Sequence, residues 1–353
     1  MANGWFFYVV LLAVLLSFRR GKTENEELLE KKSSSELKGL AILMVLLGHM
    51  TLLFGFITMP VTPYLGAQAV EIFLFLSGYG LAASFCKKGL KGFWKRKAGT
   101  VYLPFLFTNL IKLAVIAILA GSFIPFWTAV LNLVGIQIYL DTSMWYVQYI
   151  LLCFILFYLS MKTAAGKGER EDVLLKGAVI LTVCFAVMAL GLNVWKLKAG
   201  NQAYIPFLEC NSHYFGFPLG VWGYLVLKKI KKLPAAGLFI SSVLCMILYA
   251  FFAAKIPVYG FYLAANTVFV LGILCLFLGL ARLRLHSLLL EKLGGLSYHI
   301  YLNEMVVMSF LPYLVKWEGG DKILIILAVF AISVGTAWLT RKACDKLTAL
   351  LNL

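Results

Sequence analysis

Charge is scarce in this sequence. Only 14% of its 353 residues are Asp, Glu, Lys or Arg, where a soluble domain carries about 25%. The acidic sign is the scarcer, 16 residues against 32 basic, and there are four histidines. The seven cysteines are scattered, mostly inside apolar runs, and none forms a CxxC or a Cys/His spacing. That argues against a disulfide scaffold or a metal module, leaves cysteine as a small buried hydrophobe, and sets an expectation of no metal. No internal repeat and no low-complexity tract is visible, so a solenoid is excluded and the inverted repeats common in transporters are not seen. What the sequence does have is 62% apolar residues and a mean hydropathy of +0.90. A water-soluble enzyme and a disordered chain are both excluded, and the chain reads as an all-α, polytopic membrane helix bundle.

A spanning helix needs about 20 mostly apolar residues. Runs of that kind lie at 2–18, 39–59, 65–86, 101–123, 143–161, 173–193, 203–227, 235–254, 259–281, 293–315 and 323–340. They predict a ten-span core plus one N-terminal anchor helix, organised as 1–33 (anchor and linker), 34–340 (core) and 341–353 (amphipathic tail). The basic excess sits in short connections, which is the positive-inside pattern and not a nucleic-acid signature. The short stretch 126–140, bounded by Pro125 and Asp141, decides the count. If it does not span, only Lys196, Lys198, Lys255, Lys316 and Lys322 fall on the outer side. It is therefore read as a re-entrant or interfacial helix on the outer face. The C-terminus is then cytoplasmic and the N-terminus outside. Arg19 and Arg20 follow the first apolar run, the reverse of a secretory signal.

Ionisable groups inside spans are costly and mark candidate sites. His49, Glu71, Lys112, Glu209, His213 and Glu304 qualify. At 1.5 Å per residue His49 is roughly 16 Å from Lys38, and Lys112, His213 and Glu304 reach a similar depth. Pairing that merely holds helices together is the plain alternative. Several groups at one depth, two of them histidines able to exchange a proton near neutral pH, favour a polar cavity.

Five segments taken in order resemble a known family. They are ELKGLAILMVLLGHM (36–50), VEIFLFLSGYGLAASF (70–85), FWKRKAGTVYLP (93–104), MWYVQYILLCFILFYL (144–159) and LGGLSYHIYLNEM (293–305). The chain resembles the acyltransferase 3 family of membrane acyltransferases, which includes bacterial surface-polysaccharide O-acetyltransferases. The first segment matches a basic residue, ten residues, then histidine, with Lys38 in place of the usual arginine and His49 closing the motif. In the third, Arg96 and Lys97 match the first of two cationic positions, and uncharged Thr100 stands at the second. In the fifth, Glu304 stands where many members carry histidine.

The resemblance implies transfer of an acyl group, commonly acetyl from acetyl-CoA on the cytoplasmic side, to a hydroxyl of a cell-surface carbohydrate or related acceptor in a bacterial inner membrane. On that basis His49 is the expected general base, with Glu71 or Glu304 orienting it; an acyl-histidine intermediate remains open. Lys38, Arg96 and Lys97 are expected on the CoA phosphates. Ser77 and Gly78 allow close backbone approach, either of ligand or of a neighbouring helix. Lys112, Trp145, Tyr146, His213 and Tyr301 are expected to contact or support substrate, with interfacial belting as the plain reading of the aromatics. Expected partners are membrane lipid, acyl-CoA and a glycan, and no nucleic acid. A proton-coupled transporter or flippase, or a non-catalytic member of the same fold, is the competing reading.

Overall fold

The computed structural model describes residues 5–21, 29–54, 65–120, 124–136, 144–166, 168–199, 213–230, 233–255, 259–314 and 322–353. In chain order the elements are α1 (Trp5–Leu16), β1 (Phe18–Arg20), α2 (Lys31–Phe54), α3 (Leu65–Lys88) and α4 (Phe93–Lys97). A π-helical turn (Ala98–Tyr102) leads into α5 (Leu103–Ala120), then α6 (Phe126–Leu133), α7 (Trp145–Ala164), α8 (Arg170–Ala199) and α9 (Gly216–Lys229). Then follow α10 (Ala235–Ala253), α11 (Tyr259–Arg282), β2 (Leu285–Ser287), α12 (Leu288–Leu314) and α13 (Lys322–Leu350).

Eight stretches among the described residues are long and apolar enough to cross a membrane: Lys31–Leu53, Leu65–Lys88, Phe93–Ile118, Trp145–Ala164, Arg170–Trp195, Ala235–Ala253, Gly260–Arg282 and Leu324–Leu350. Their outward faces carry exposed Leu52, Ile118, Leu190 and Ile247. Water would penalise such a surface and lipid accommodates it. The three other expected spans differ in kind. In 2–18 the described helix is the 12-residue α1. In 203–227 it is α9, with 203–212 outside the described residues. In 293–315 it is the 27-residue α12, long enough but broken in its apolar run by Ser297, His299, Asn303 and Glu304. Within 126–140, α6 has only eight residues, about 12 Å of helix, too short to cross. The tail 341–353 is mostly the last turns of α13.

The chain divides into two compact units. Unit one takes Met1–Thr51, Gly55–Leu90 and Leu152–Gly295; unit two takes Leu52–Phe54, Lys91–Leu151 and Leu296–Leu353.

Unit one is organised by α3 against α9. A Cβ on Gly78 would overlap the carbonyl oxygen of Phe217, and one on Gly220 would overlap that of Phe75. Small residues at this spacing let two backbones touch, the usual way helices associate in lipid. The end of α3 is tied down too. Gly89 takes φ +61° just past the helix, the left-handed position that glycine adopts without a Cβ penalty. Arg170 Nη1 donates to the carbonyls of Cys86 (3.1 Å) and Lys87 (2.7 Å), which have no acceptor role left inside the helix.

A feature absent from the expectations is the antiparallel pair β1–β2, in register Phe18↔Ser287, Arg19↔His286 and Arg20↔Leu285. Within the anchor-and-linker stretch 1–33, Phe18–Arg20 pair as strand and α2 begins at Lys31. Ser287 Oγ accepts the Leu290 amide at the start of α12 (3.2 Å) and also bonds Ser17 Oγ.

In unit two, α5 packs on α6 and α13. Tyr102 donates to the Leu133 carbonyl at 3.2 Å, Gln148 Nε2 to that of Gly135 at 2.6 Å, and Asn303 Nδ2 reaches Thr340 Oγ1 at 3.1 Å.

Candidate functional site

In unit one the structure joins two of the expected site residues directly. Glu71, in the second turn of α3, lies 3.1 Å from Nδ1 of His213, just ahead of α9, and both side chains are buried. The second carboxylate oxygen of Glu71 lies where a Cβ on Gly216 would be. The carboxylate is thus fixed at both oxygens. Nδ1 of His213 faces it, which fixes the ring's orientation, as in a carboxylate–imidazole pair. Glu71 was expected beside His49; its described bond is to His213 instead, across 142 residues of sequence.

His49 sits on α2. Residues 41–47 and Met50 are buried, whereas Gly48 and His49 are partly exposed. Gly48 is one van der Waals layer from Gly66 of α3, whose backbone lies 3.3 Å from the Cβ position. Lys38, also partly exposed, is three turns earlier on α2. Gly78 meets the α9 backbone, so its close approach serves helix packing.

A second carboxylate–imidazole pair in unit one was not anticipated. Nδ1 of His286 lies 3.2 Å from Oε1 of Glu36, which also accepts the Ser287 amide at 2.8 Å. Burial pushes the His286 imidazole below its ordinary pKa, and the nearby Lys32 ammonium adds to this while Glu291 opposes it. No local pattern in the sequence announces this pair, because its members lie 250 residues apart.

Ser77 lies on α3 of unit one and Glu209 lies outside the described residues, and unit two holds the others. Glu304 and Lys112 are buried, and the ring of Tyr301 meets that of Tyr146 edge-on at 5.6 Å between centroids. Trp145 stands next to Tyr146, partly buried. Arg96 and Lys97 close α4. Arg96 Nη1 donates to the Lys91 carbonyl at 2.6 Å, and the Lys97 ammonium stands 6.0 Å from the centre of the Phe93 ring. Thr100 Oγ1 turns back to the Arg96 carbonyl at 2.7 Å. It falls inside the π-helical turn, a wider coil that often marks functional sites.

Neutral polar side chains are buried beside the ionisable ones. Thr108 and Asn109 are as deeply buried as Lys112 on the same helix. Their spacing of one and four residues puts them on one face, a signal that polar periodicity alone would have revealed.

The acyltransferase 3 family model, an acyltransferase domain, matches residues 36–342. No curated protein and no solved structure matches the chain. The match takes in every site residue described above from Glu36 to Glu304, and with the eight apolar helices it marks an integral membrane protein. The chain belongs to the acyltransferase 3 family of membrane acyltransferases.

Proposed function

We propose that this protein transfers an acyl group, acetyl from acetyl-CoA, to a hydroxyl of a cell-surface carbohydrate or related acceptor, with His49 as general base. The observation that carries the base assignment is His49's partial exposure just past the buried stretch 41–47 of α2. A base must be reachable by the proton it takes. The imidazole removes the acceptor hydroxyl's proton as that oxygen attacks the thioester carbonyl. The tetrahedral intermediate collapses, the carbon–sulfur bond breaks, and the imidazolium returns the proton to the CoA sulfur. Arg96 and Lys97 are the cations we assign to the donor's phosphates, for which charge-assisted hydrogen bonds suit them. Membership of the family supports a cytoplasmic donor and a bacterial inner-membrane location, and the basic connections support the orientation of the spans.

The test is CoA release from acetyl-CoA by purified protein in nanodiscs with a panel of surface glycans. Acceptor-stimulated release is expected in the wild type and reduced about a hundredfold or more in His49→Ala. Full turnover in His49→Ala sinks the base assignment.

The Glu71–His213 pair favours a second reading, in which the oriented His213 is the base. Under it His213→Ala and Glu71→Gln lose turnover while His49→Ala keeps it. Acetyl-CoA that neither binds nor turns over moves the transporter reading ahead.

A further inference from the structure

The buried face of α5 is Phe105, Thr108, Asn109 and Lys112, each at most 2% exposed. Spacings of three and four residues place them in one stripe. The hydroxyl of Thr108 and the amide nitrogen of Asn109 have no hydrogen-bond partner among the described residues. Several threonines and asparagines elsewhere in the molecule bond their own helix instead. Thr100, Thr182, Thr267 and Thr336 each turn their hydroxyl onto the carbonyl four residues back. Asn193 and Asn303 do the same with their amides. Thr108 and Asn109 make no such bond.

A third such group lies alongside. Asn132, near the end of α6, is 2% exposed and its Nδ2 also lacks a partner among the described residues. α6 is held against α5 at this level. Tyr102 bonds the Leu133 carbonyl, and Gly135, whose amide bonds the Asn132 carbonyl at 3.1 Å, leaves its Cβ position 3.4 Å from the Phe105 ring. Buried polar groups in native structures are nearly always satisfied, and in a bundle facing lipid no bulk water is at hand to do it. The three groups are neutral, which does not suit a phosphate. They are two amides and a hydroxyl, which suit ring and hydroxyl oxygens and have nothing to offer an acyl chain.

From this we infer that Thr108, Asn109 and Asn132 form a binding site in unit two for a hydroxyl-rich carbohydrate ring. The inference rests on the proposed reaction only in calling that ring part of the acceptor. Thr108 donates to or accepts from a sugar hydroxyl, and the two amides donate to sugar oxygens. Leaving these groups unsatisfied in the empty protein costs stability, which the bound ring restores.

The test uses the full chain in nanodiscs as wild type, Thr108→Val, Asn109→Leu and Asn132→Leu. Unfolding midpoints are read by intrinsic fluorescence, without ligand and with methyl glucoside, methyl galactoside and methyl N-acetylglucosaminide in turn. At least one glycoside should raise the wild-type midpoint. Each variant should keep or raise the unliganded midpoint while losing about tenfold in affinity for that glycoside, the loss of roughly one hydrogen bond. The shift produced by acetyl-CoA should not change. A structural role predicts the opposite pattern: lower unliganded midpoints with glycoside affinity intact. That result, or the absence of a wild-type shift with all three glycosides, overturns the inference. If one variant does not fold, the other two decide. Glycoside binding without acyl turnover leaves the site standing and removes the proposed reaction; turnover with unaltered acceptor KM in the variants does the reverse.

Discussion

Gly216 has no room for a side chain, because Oε2 of Glu71 lies where its Cβ would be. The glycine and the histidine three residues before it thus grip one carboxylate from two sides. Gly216→Ala should force Glu71 off His213 and destabilise the protein by about 1–3 kcal/mol, the usual cost of overpacking. A thermal unfolding scan beside Glu71→Gln, which keeps the shape of the carboxylate, checks it. An unchanged midpoint for Gly216→Ala would show that the carboxylate has other places to go.

Two glycines a half-turn apart on α3 should respond with opposite sign. Gly78→Ala sets a methyl against the Phe217 backbone, which cannot rotate aside, and should lower the unfolding midpoint. A Cβ on Gly80 meets nothing within 4 Å, so Gly80→Ala should raise stability by up to about 1 kcal/mol through helix propensity alone. Equal effects of the two substitutions would refute backbone contact between α3 and α9.

Arg170 closes the C-terminus of α3 with two hydrogen bonds from one guanidinium nitrogen. Arg170→Ala should cost about 1–3 kcal/mol, and Arg170→Lys should recover only part of it, since an ammonium lacks the planar fork. Denaturation of the three proteins side by side gives the ranking.

His286 gives the protein an acid-sensitive point. Its folded-state pKa lies below the ordinary 6.5, so the unfolded chain binds the proton first as pH falls. The stabilisation is complete above about pH 6.5 and is lost below it, as pH falls through the folded-state value. Glu36, Lys32 and Glu291 are the charged groups around it. Burial pushes the neighbouring Glu36 carboxyl up to about 7, so its protonation acts in the opposite direction as pH falls. The His286 contribution is therefore read as the wild-type midpoint minus that of His286→Gln, a difference that should be constant from about pH 8 to 7 and shrink below about 6.5. The same slope in both proteins would place the acid sensitivity elsewhere.

Apolar runs announce the helices because lipid demands about 20 uncharged residues in a row, whatever lies beside them. The polar exceptions within those runs, Glu71, Lys112, His213 and Glu304, were visible for the same reason. Their partners were not. The bond between Glu71 and His213 spans 142 residues, and no local periodicity encodes a contact of that range. β1 is three residues, Phe18-Arg19-Arg20, with no alternation to read. Gly78 could be seen as a place of close approach, but only the fold tells that the visitor is the α9 backbone. Thr108 and Asn109 escaped because an uncharged polar residue is unremarkable in a membrane helix until its usual bond to the preceding turn is found missing.

Ser17 touches Ser287 across 270 residues, beside a strand pair at the same two ends of the chain. Phe18–Arg20 therefore has its partner only once Leu285–Ser287 is present, and until then it is an unpaired strand with both edges open. Contacts of such sequence separation form late because closing the loop costs entropy before any bond repays it. The N-terminal strand is thus a seal applied at the end of assembly, and its protection from proteolysis reports a finished molecule.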